Sequence, residues 1–244
     1  MKVVSFGSNS AIARSVCLEI LKENPGSEFY LFGRNYDAML AFKDNLQKNS
    51  AGNCEIFEVN FVDSQIEKST LDYIYDKSID ITIFSYGVLG DENMLRSDFD
   101  MLREFIYLNL TSKLILLSQV SQKIEKFRDS TLVVISSVAG DRGRRSNYIY
   151  GSMNAALTEF LSGLRAKLSS KNINVLTVKP GLIATPMTKN FKKSILWSSP
   201  EKIAPIIYKA ILKKRSVIYV PRFWGLIMRV ILLIPEKIFK KINF

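Results

Sequence analysis

Seven short apolar runs, rich in β-branched and aromatic residues, alternate along this chain with stretches of helical spacing, and that alternation constrains its fold more than any other feature. The runs read as strands at Lys2–Phe6, Glu28–Phe32, Glu55–Val59, Ile79–Ser85, Thr131–Ser136, Asn174–Lys179 and Val217–Val220. Between them the spacing predicts helices over Ala11–Glu23, Tyr36–Asn49, Ser64–Lys77, Phe99–Lys126, Tyr148–Ser169 and Pro200–Lys213. Strands separated by helices pair in parallel, because each crossover brings the chain back to run in the same direction. No internal repeat or low-complexity linker divides the chain, and 244 residues suffice for a substantial core. The expectation is an α/β fold with a doubly wound parallel sheet in one domain over residues 1–221. A basic, apolar C-terminal helical segment follows over 222–244.

Charge separates body from tail. Residues 1–188 carry 21 Lys+Arg against 21 Asp+Glu, whereas residues 189–244 carry 13 against 2, which supplies the whole net charge of +11. A neutral body argues against a nucleic-acid enzyme, whose basic surface belongs to its working face. A basic tail suits an anionic surface. Within it, Phe223–Ile234 is apolar but too short to span a bilayer, and Arg229 interrupts it. After Pro235, Lys237, Lys240 and Lys241 alternate with Ile238, Phe239, Ile242 and Phe244. That mixture suits the membrane interface; the alternative is a last helix packed on the domain or on a second subunit. Cys17 and Cys54 read as buried thiols, and with no histidine in the chain a zinc or haem site is not expected. Met1 runs straight into a strand with no secretory signal, so the body is expected in the cytoplasm.

The turns that follow the strands carry the chemistry. Gly7-Ser8-Asn9-Ser10-Ala11-Ile12-Ala13 joins the first strand to the first helix, where backbone N–H groups and the helix dipole meet a pyrophosphate; close helix–strand packing is the alternative. The second strand ends in Gly33-Arg34-Asn35. A site selecting NAD would have a carboxylate there, and Arg34 suits a 2′-phosphate instead, unless it is only a solvated residue. Asn60 and Phe61 follow the third strand, Gly87 closes Phe84-Ser85-Tyr86-Gly87 after the fourth, and Pro180-Gly181-Leu182-Ile183-Ala184-Thr185 follows the sixth. Asn109 lies among apolar neighbours on the long central helix and needs a partner for its amide. Ser137 ends the fifth strand, and Tyr150 follows thirteen positions later, with Asn154 one helical turn beyond it.

These residues resemble the short-chain dehydrogenase/reductases, over about residues 2–235. The resemblance implies a Rossmann-type fold that binds NADP, with NAD possible, and a catalytic set of Ser137, Tyr150 and Asn109. Ser137 would hold a substrate carbonyl, Tyr150 would donate or accept the proton, and Asn109 would hold a water in the proton relay. The family's Tyr-x-x-x-Lys motif has its lysine where this chain has Asn154, which can still hold a ribose hydroxyl by hydrogen bonding. Gly7, Ser8, Asn9, Ser10, Ile12, Gly33, Arg34, Asn35, Asn60, Phe61, Gly87, Pro180, Gly181, Ile183 and Thr185 would line the cofactor. The long helices imply a homo-oligomer.

Within the family, Gly87–Asp91, Ser136–Asn147 and Val220–Phe239 look like the reductase of decaprenylphosphoryl-ribose epimerisation. That likeness implies a keto-sugar carried on a polyprenyl phosphate, cell-envelope polysaccharide synthesis, a flavin oxidase partner and peripheral contact of residues 222–244 with the inner face of the membrane. It also suggests that Arg142, Arg144 or Arg145 meets the sugar-phosphate, or supplies the cation that Asn154 lacks. The competing expectation is a non-catalytic dinucleotide-binding protein acting as a membrane-associated partner.

Overall fold

The computed structural model describes residues 1–62, 66–127 and 129–242. Seven strands, β1 (Lys2–Phe6), β2 (Glu28–Gly33), β3 (Cys54–Glu58), β4 (Ile81–Phe84), β5 (Thr131–Ile135), β6 (Asn174–Pro180) and β7 (Val217–Val220), form one sheet. Their order is β3-β2-β1-β4-β5-β6-β7 and every pairing is parallel. Val3 pairs with Phe29 of β2 and Ile81 of β4, so β1 is central. From β1 the chain winds outward through β2 and β3, then crosses back to β4 and winds the other way. That reversal leaves a crevice beyond the carboxyl ends of β1 and β4, where ligands bind in such sheets.

Side-chain alternation along the strands builds two cores. Val3, Leu31, Ile83, Val133, Leu176 and Val178 pack on one face, with α1 (Ala11–Glu23), α2 (Tyr36–Lys48) and α8 (Pro200–Leu212). Val4, Phe6, Phe32, Phe84, Val134 and Val175 pack on the other, with α3 (Lys68–Tyr75), α6 (Ser112–Ile124) and α7 (Tyr148–Ser169). Both cysteines are buried free thiols.

The structure corrects two helix expectations and adds one element. The stretch from Phe99 is not one regular helix: α5 (Phe99–Ile106) passes through a π-helical turn, Tyr107–Thr111, into α6. The helix expected from Ser64 runs from Lys68 as α3, and Ser64 itself lies outside the described residues. A short helix, α4 (Glu92–Ser97), has no counterpart in the sequence reading; Asp91 caps it by accepting from the N–H groups of Asn93 and Met94. The tail forms α9 (Phe223–Leu233) and α10 (Glu236–Phe239), while its expected last aromatic, Phe244, lies outside the described residues. No helix among the described residues is long and apolar enough to cross a membrane.

Candidate active site

The crevice is floored by the first turn. Gly7 has φ +93°, and a Cβ on it would lie 2.6 Å from the Tyr86 nitrogen, so no larger residue fits between the ends of β1 and β4. The N–H groups of Gly7 and Ser8 both donate to the Phe32 carbonyl. Ser10 caps α1 and shares a 2.9 Å hydrogen bond with Ser85, tying the turn to β4. Ser8 is buried with its hydroxyl donating to Ser5 O, and the Ile12 side chain lies in the core, so both present only backbone to the crevice. Positive potential comes from the amino end of α1 itself.

At the adjacent end of β2, Asn9 lies over Gly33 and bridges to Asn35, donating to its carbonyl and accepting from its N–H, each at 3.2 Å. Asn35 in turn caps α2. Arg34 is exposed beside them. Asn60 is also exposed, its side chain accepting from the Val62 N–H. Phe61 stacks on Tyr86 with centroids 3.9 Å apart and rings 4° from parallel, a flat apolar wall at the mouth of β3 and β4. Arg14 was not foreseen from sequence. Its guanidinium donates to Ser8 O and Ala38 O and lies 5.2 Å from the Phe42 ring centroid, fastening the turn to α2.

On the far side of the crevice, Ser137 ends β5 and caps the 3-10 turn Val138–Gly140, its Oγ accepting from the Ala139 N–H. That turn presses on α7: a Cβ on Gly140 would lie 2.7 Å from the Ala155 nitrogen, and one on Gly151 2.7 Å from the Ala139 oxygen. Backbone contact on both sides holds Ser137 against Tyr150. Burial raises the Tyr150 phenol above its usual range, and hydrogen bonding to Asn154 and Ser137 pulls partly the other way. The phenol therefore stays protonated at neutral pH and is disposed to donate. Asn154 is buried, with its Nδ2 donating to the Tyr150 carbonyl one turn back and its own carbonyl accepting from Ser136. Asn109 is buried in the π-helical turn, where Nδ2 donates to Phe105 O and Oδ1 accepts from Val88 N. Its amide thus pins the loop after β4 to the helix.

Pro180 ends β6, and Ile183 forms a parallel bridge with Ser198. Thr185 opens the 3-10 turn Pro186–Thr188, where the Thr188 hydroxyl donates to Ile183 O. The tail closes this edge. Trp224 packs directly on Gly181, and Trp224 and Met228 form a cluster with Val138, Leu182 and Ile231. Arg142 does not face a ligand as expected. It donates to the carbonyls of Ile231 and Ile234, pairs with Glu236 at 3.0 Å and lies 3.7 Å from the Phe239 ring centroid. Arg144 lies against Val138 O and the Met228 sulfur. Satisfying the carbonyls at the carboxyl end of α9 is what the Arg142 guanidinium does here. Lys179, next to this edge, pairs with buried Asp141, which also accepts from the Tyr219 hydroxyl.

A family profile described as short chain dehydrogenase matches residues 2–195. The chain belongs to the short-chain dehydrogenase family. An uncharacterized oxidoreductase of Mycobacterium tuberculosis is 30% identical over 61% of this chain and 59% of its own length, so the match spans about six-tenths of that relative. The 3-oxoacyl-acyl-carrier-protein reductase of Aquifex aeolicus is 25% identical over 82% of this chain and 86% of the relative. Among solved structures, a short-chain dehydrogenase from Sphingobium yanoikuyae in complex with NADPH superposes with a TM-score of 0.77 at 18% identity, covering 96% of both chains. A dinucleotide fits this short-chain dehydrogenase: a tight glycine turn at Gly7 packed on the end of β4, the amino end of α1 that follows it, and the stacked Phe61–Tyr86 wall.

Proposed function

We propose that this short-chain dehydrogenase is an NADPH-dependent reductase of a ketone, a keto-sugar carried on a polyprenyl phosphate in cell-envelope polysaccharide synthesis. The observation that carries the reductase reading is the Tyr150 phenol held between Ser137 and Asn154 beside the crevice at the sheet's switch point. Gly7, Ser10 and the amino end of α1 would hold the pyrophosphate, and Arg34 the 2′-phosphate. Gly33 and Asn35 would border the adenosine ribose, with Asn60 and Phe61 beside the adenine. Gly87, Pro180, Gly181, Ile183 and Thr185 would enclose the nicotinamide half. When bound, the nucleotide supplies a hydride to the carbonyl carbon. Ser137 orients the carbonyl oxygen and Tyr150 gives it a proton; Asn109 keeps the loop at Gly87 in place.

The tail supports the lipid-linked substrate. One stripe of α9, Trp224 and Met228, packs on Val138 and Gly181. A second stripe at the same spacing, Leu226, Val230 and Leu233, is exposed, with Leu233 81% accessible. A helix apolar on two faces, with Arg222, Arg229 and Lys237 exposed around it, is built to touch the body with one face and a lipid surface with the other. A polyprenyl chain stays in the bilayer, so docking there brings the crevice to the sugar. Asn154 favours the second reading, a dinucleotide-binding protein without turnover. NADPH oxidation distinguishes the two, measured with a polyprenyl-phosphoryl 2-keto-pentose in anionic vesicles. Substrate-dependent loss of NADPH absorbance is expected; nucleotide binding without any loss would favour the second reading.

A further inference from the structure

A cavity of about 270 Å³ lies between the turn that follows β5 and the end of the tail, and none of the crevice residues lines it. Arg144 and Arg145 line it from the turn; Glu236, Phe239 and Lys240 line it from α10 and its cap. The only carboxylate in that lining, Glu236, is taken up by Arg142 at 3.0 Å. Arg142 is itself fixed on the Phe239 ring, 3.7 Å from its centroid, so that wall of the cavity is held in place. Asp141 also acts on Arg144, but it is shared between Lys179 and the Tyr219 hydroxyl. Among the described residues no carboxylate pairs with Arg144, Arg145 or Lys240.

Arg144 is the least satisfied of these cations. Its Nη2 reaches Val138 O at 3.4 Å and the Met228 sulfur at 3.9 Å, both long contacts, and its Nε is buried with no hydrogen-bond partner. Burial lowers its pKa, as it does for any cation drawn out of water, yet a guanidinium keeps its charge at neutral pH. The other buried cations are placed differently. Lys179 is neutralised by Asp141, and Lys113, 6% exposed, lies against Gly87 and the Tyr86 ring. A half-buried guanidinium with most of its donors idle costs stability unless an anion meets it. Local choices that work against stability concentrate at functional sites.

We infer that this cavity is an anion site that takes a phosphate group, held by Arg144 from the turn and by Arg145 and Lys240 beside it. A phosphate supplies the missing negative charge and presents paired oxygens to the planar fork of a guanidinium. The carbonyls that would repel it, those of Ile231 and Ile234 at the carboxyl end of α9, are already covered by Arg142. Pockets that enclose a drug-sized ligand run to about 300–1,000 Å³, so this smaller cavity suits the phosphate itself rather than a whole nucleotide. The site needs neither nucleotide nor ketone, so the inference stands apart from the reductase reading. Its phosphate has two sources: a lipid headgroup, since α9 ends at Leu233, 81% accessible, just before the cavity, or a soluble phosphate ester.

Titration of the full chain with inorganic phosphate, without nucleotide and at constant ionic strength, tests this through the arginine Nε–H resonances. Arg144 Nε is shielded from water, which favours its observation, and Arg144→Lys assigns it; Arg144→Gln serves if the lysine variant does not fold. Phosphate is expected to shift the Arg144 resonance saturably, with a Kd on the order of millimolar, while chloride leaves it in place. The exposed pair Arg145→Gln with Lys240→Gln is expected to weaken that binding at least about fivefold. No saturable shift, a shift that chloride reproduces, or equal binding by the double variant overturns the inference. So does a shift of Arg14 or Arg34 alone, which would put the phosphate in the crevice. Bicelles of phosphatidylcholine and phosphatidic acid separate the two sources. Movement of the Arg144 resonance to its phosphate-bound position assigns a lipid headgroup; with inorganic phosphate bound, no movement on the bicelles assigns a soluble phosphate ester. Failure to bind NADPH would sink the reductase reading and leave this result untouched.

Discussion

Replacing Lys113 by methionine removes a buried ammonium while keeping an unbranched side chain of similar reach, so the expected result is a more stable protein. Burial lowers this lysine from 10.5 to about 8. At about 1.4 kcal/mol per pKa unit, that depression costs the native state roughly 3 kcal/mol when the lysine is charged in both states. A gain of about 1–3 kcal/mol at neutral pH is the expectation, since apolar replacement of buried ionic groups falls in that range. For a chain of this size it amounts to about 2–4 °C in Tm per kcal/mol. The sign with pH follows from the depressed native value. Below about pH 8 both states hold the proton and the full cost is present. Between about 8 and 10.5 the native state releases its proton first, so the cost shrinks and the wild type becomes more stable. Thermal unfolding followed by circular dichroism at neutral pH and near pH 10 reads both effects. A methionine variant less stable than wild type at neutral pH, or an advantage that is the same at both pH values, would refute the reasoning.

Three further outcomes follow from the same geometry. Tyr150→Phe removes the proton donor and is expected to lower turnover at least about a hundredfold, the scale of lost general acid catalysis, with folding unchanged; equal turnover would take Tyr150 out of the mechanism. Arg34→Ala is expected to weaken NADPH binding about tenfold and leave NADH binding nearly unchanged, because only the 2′-phosphate would lose its partner; isothermal titration with both nucleotides decides. Arg142→Ala leaves the Ile231 and Ile234 carbonyls and the Phe239 ring without their guanidinium. Limited proteolysis is expected to cut the variant within 222–242 much faster than wild type, and equal cutting would show that the Trp224 and Met228 packing holds the tail unaided.

The sheet was legible because strands buried on both faces leave near-continuous apolar runs, and Lys2–Phe6 and Val217–Val220 coincide with their expected spans. The succession Gly7, Ser137, Tyr150 was also legible, since each marks a strand end or a helix start that local sequence announces. What escaped the sequence depends on partners far along the chain. Arg142 reads as one of several loop cations, and its acceptors are backbone carbonyls 89 and 92 residues later, which carry no side-chain signature. Lys113 reads as a polar position in an apolar helix; only the fold brings it to Gly87. The π-helical turn arises where Asn109 bonds at once to its own helix and to Val88, 21 residues earlier. Arg14 was hidden for the same reason, as both its acceptors are main-chain oxygens.

The central claim is that the crevice at the ends of β1 and β4 takes NADPH for reduction at Tyr150. Titration of the purified chain with NADPH and NADH, followed by nucleotide fluorescence, tests it most directly. The account predicts saturable NADPH binding, at least about tenfold tighter than NADH through the 2′-phosphate contact to Arg34. Failure of both nucleotides to bind at near-millimolar concentration would contradict it.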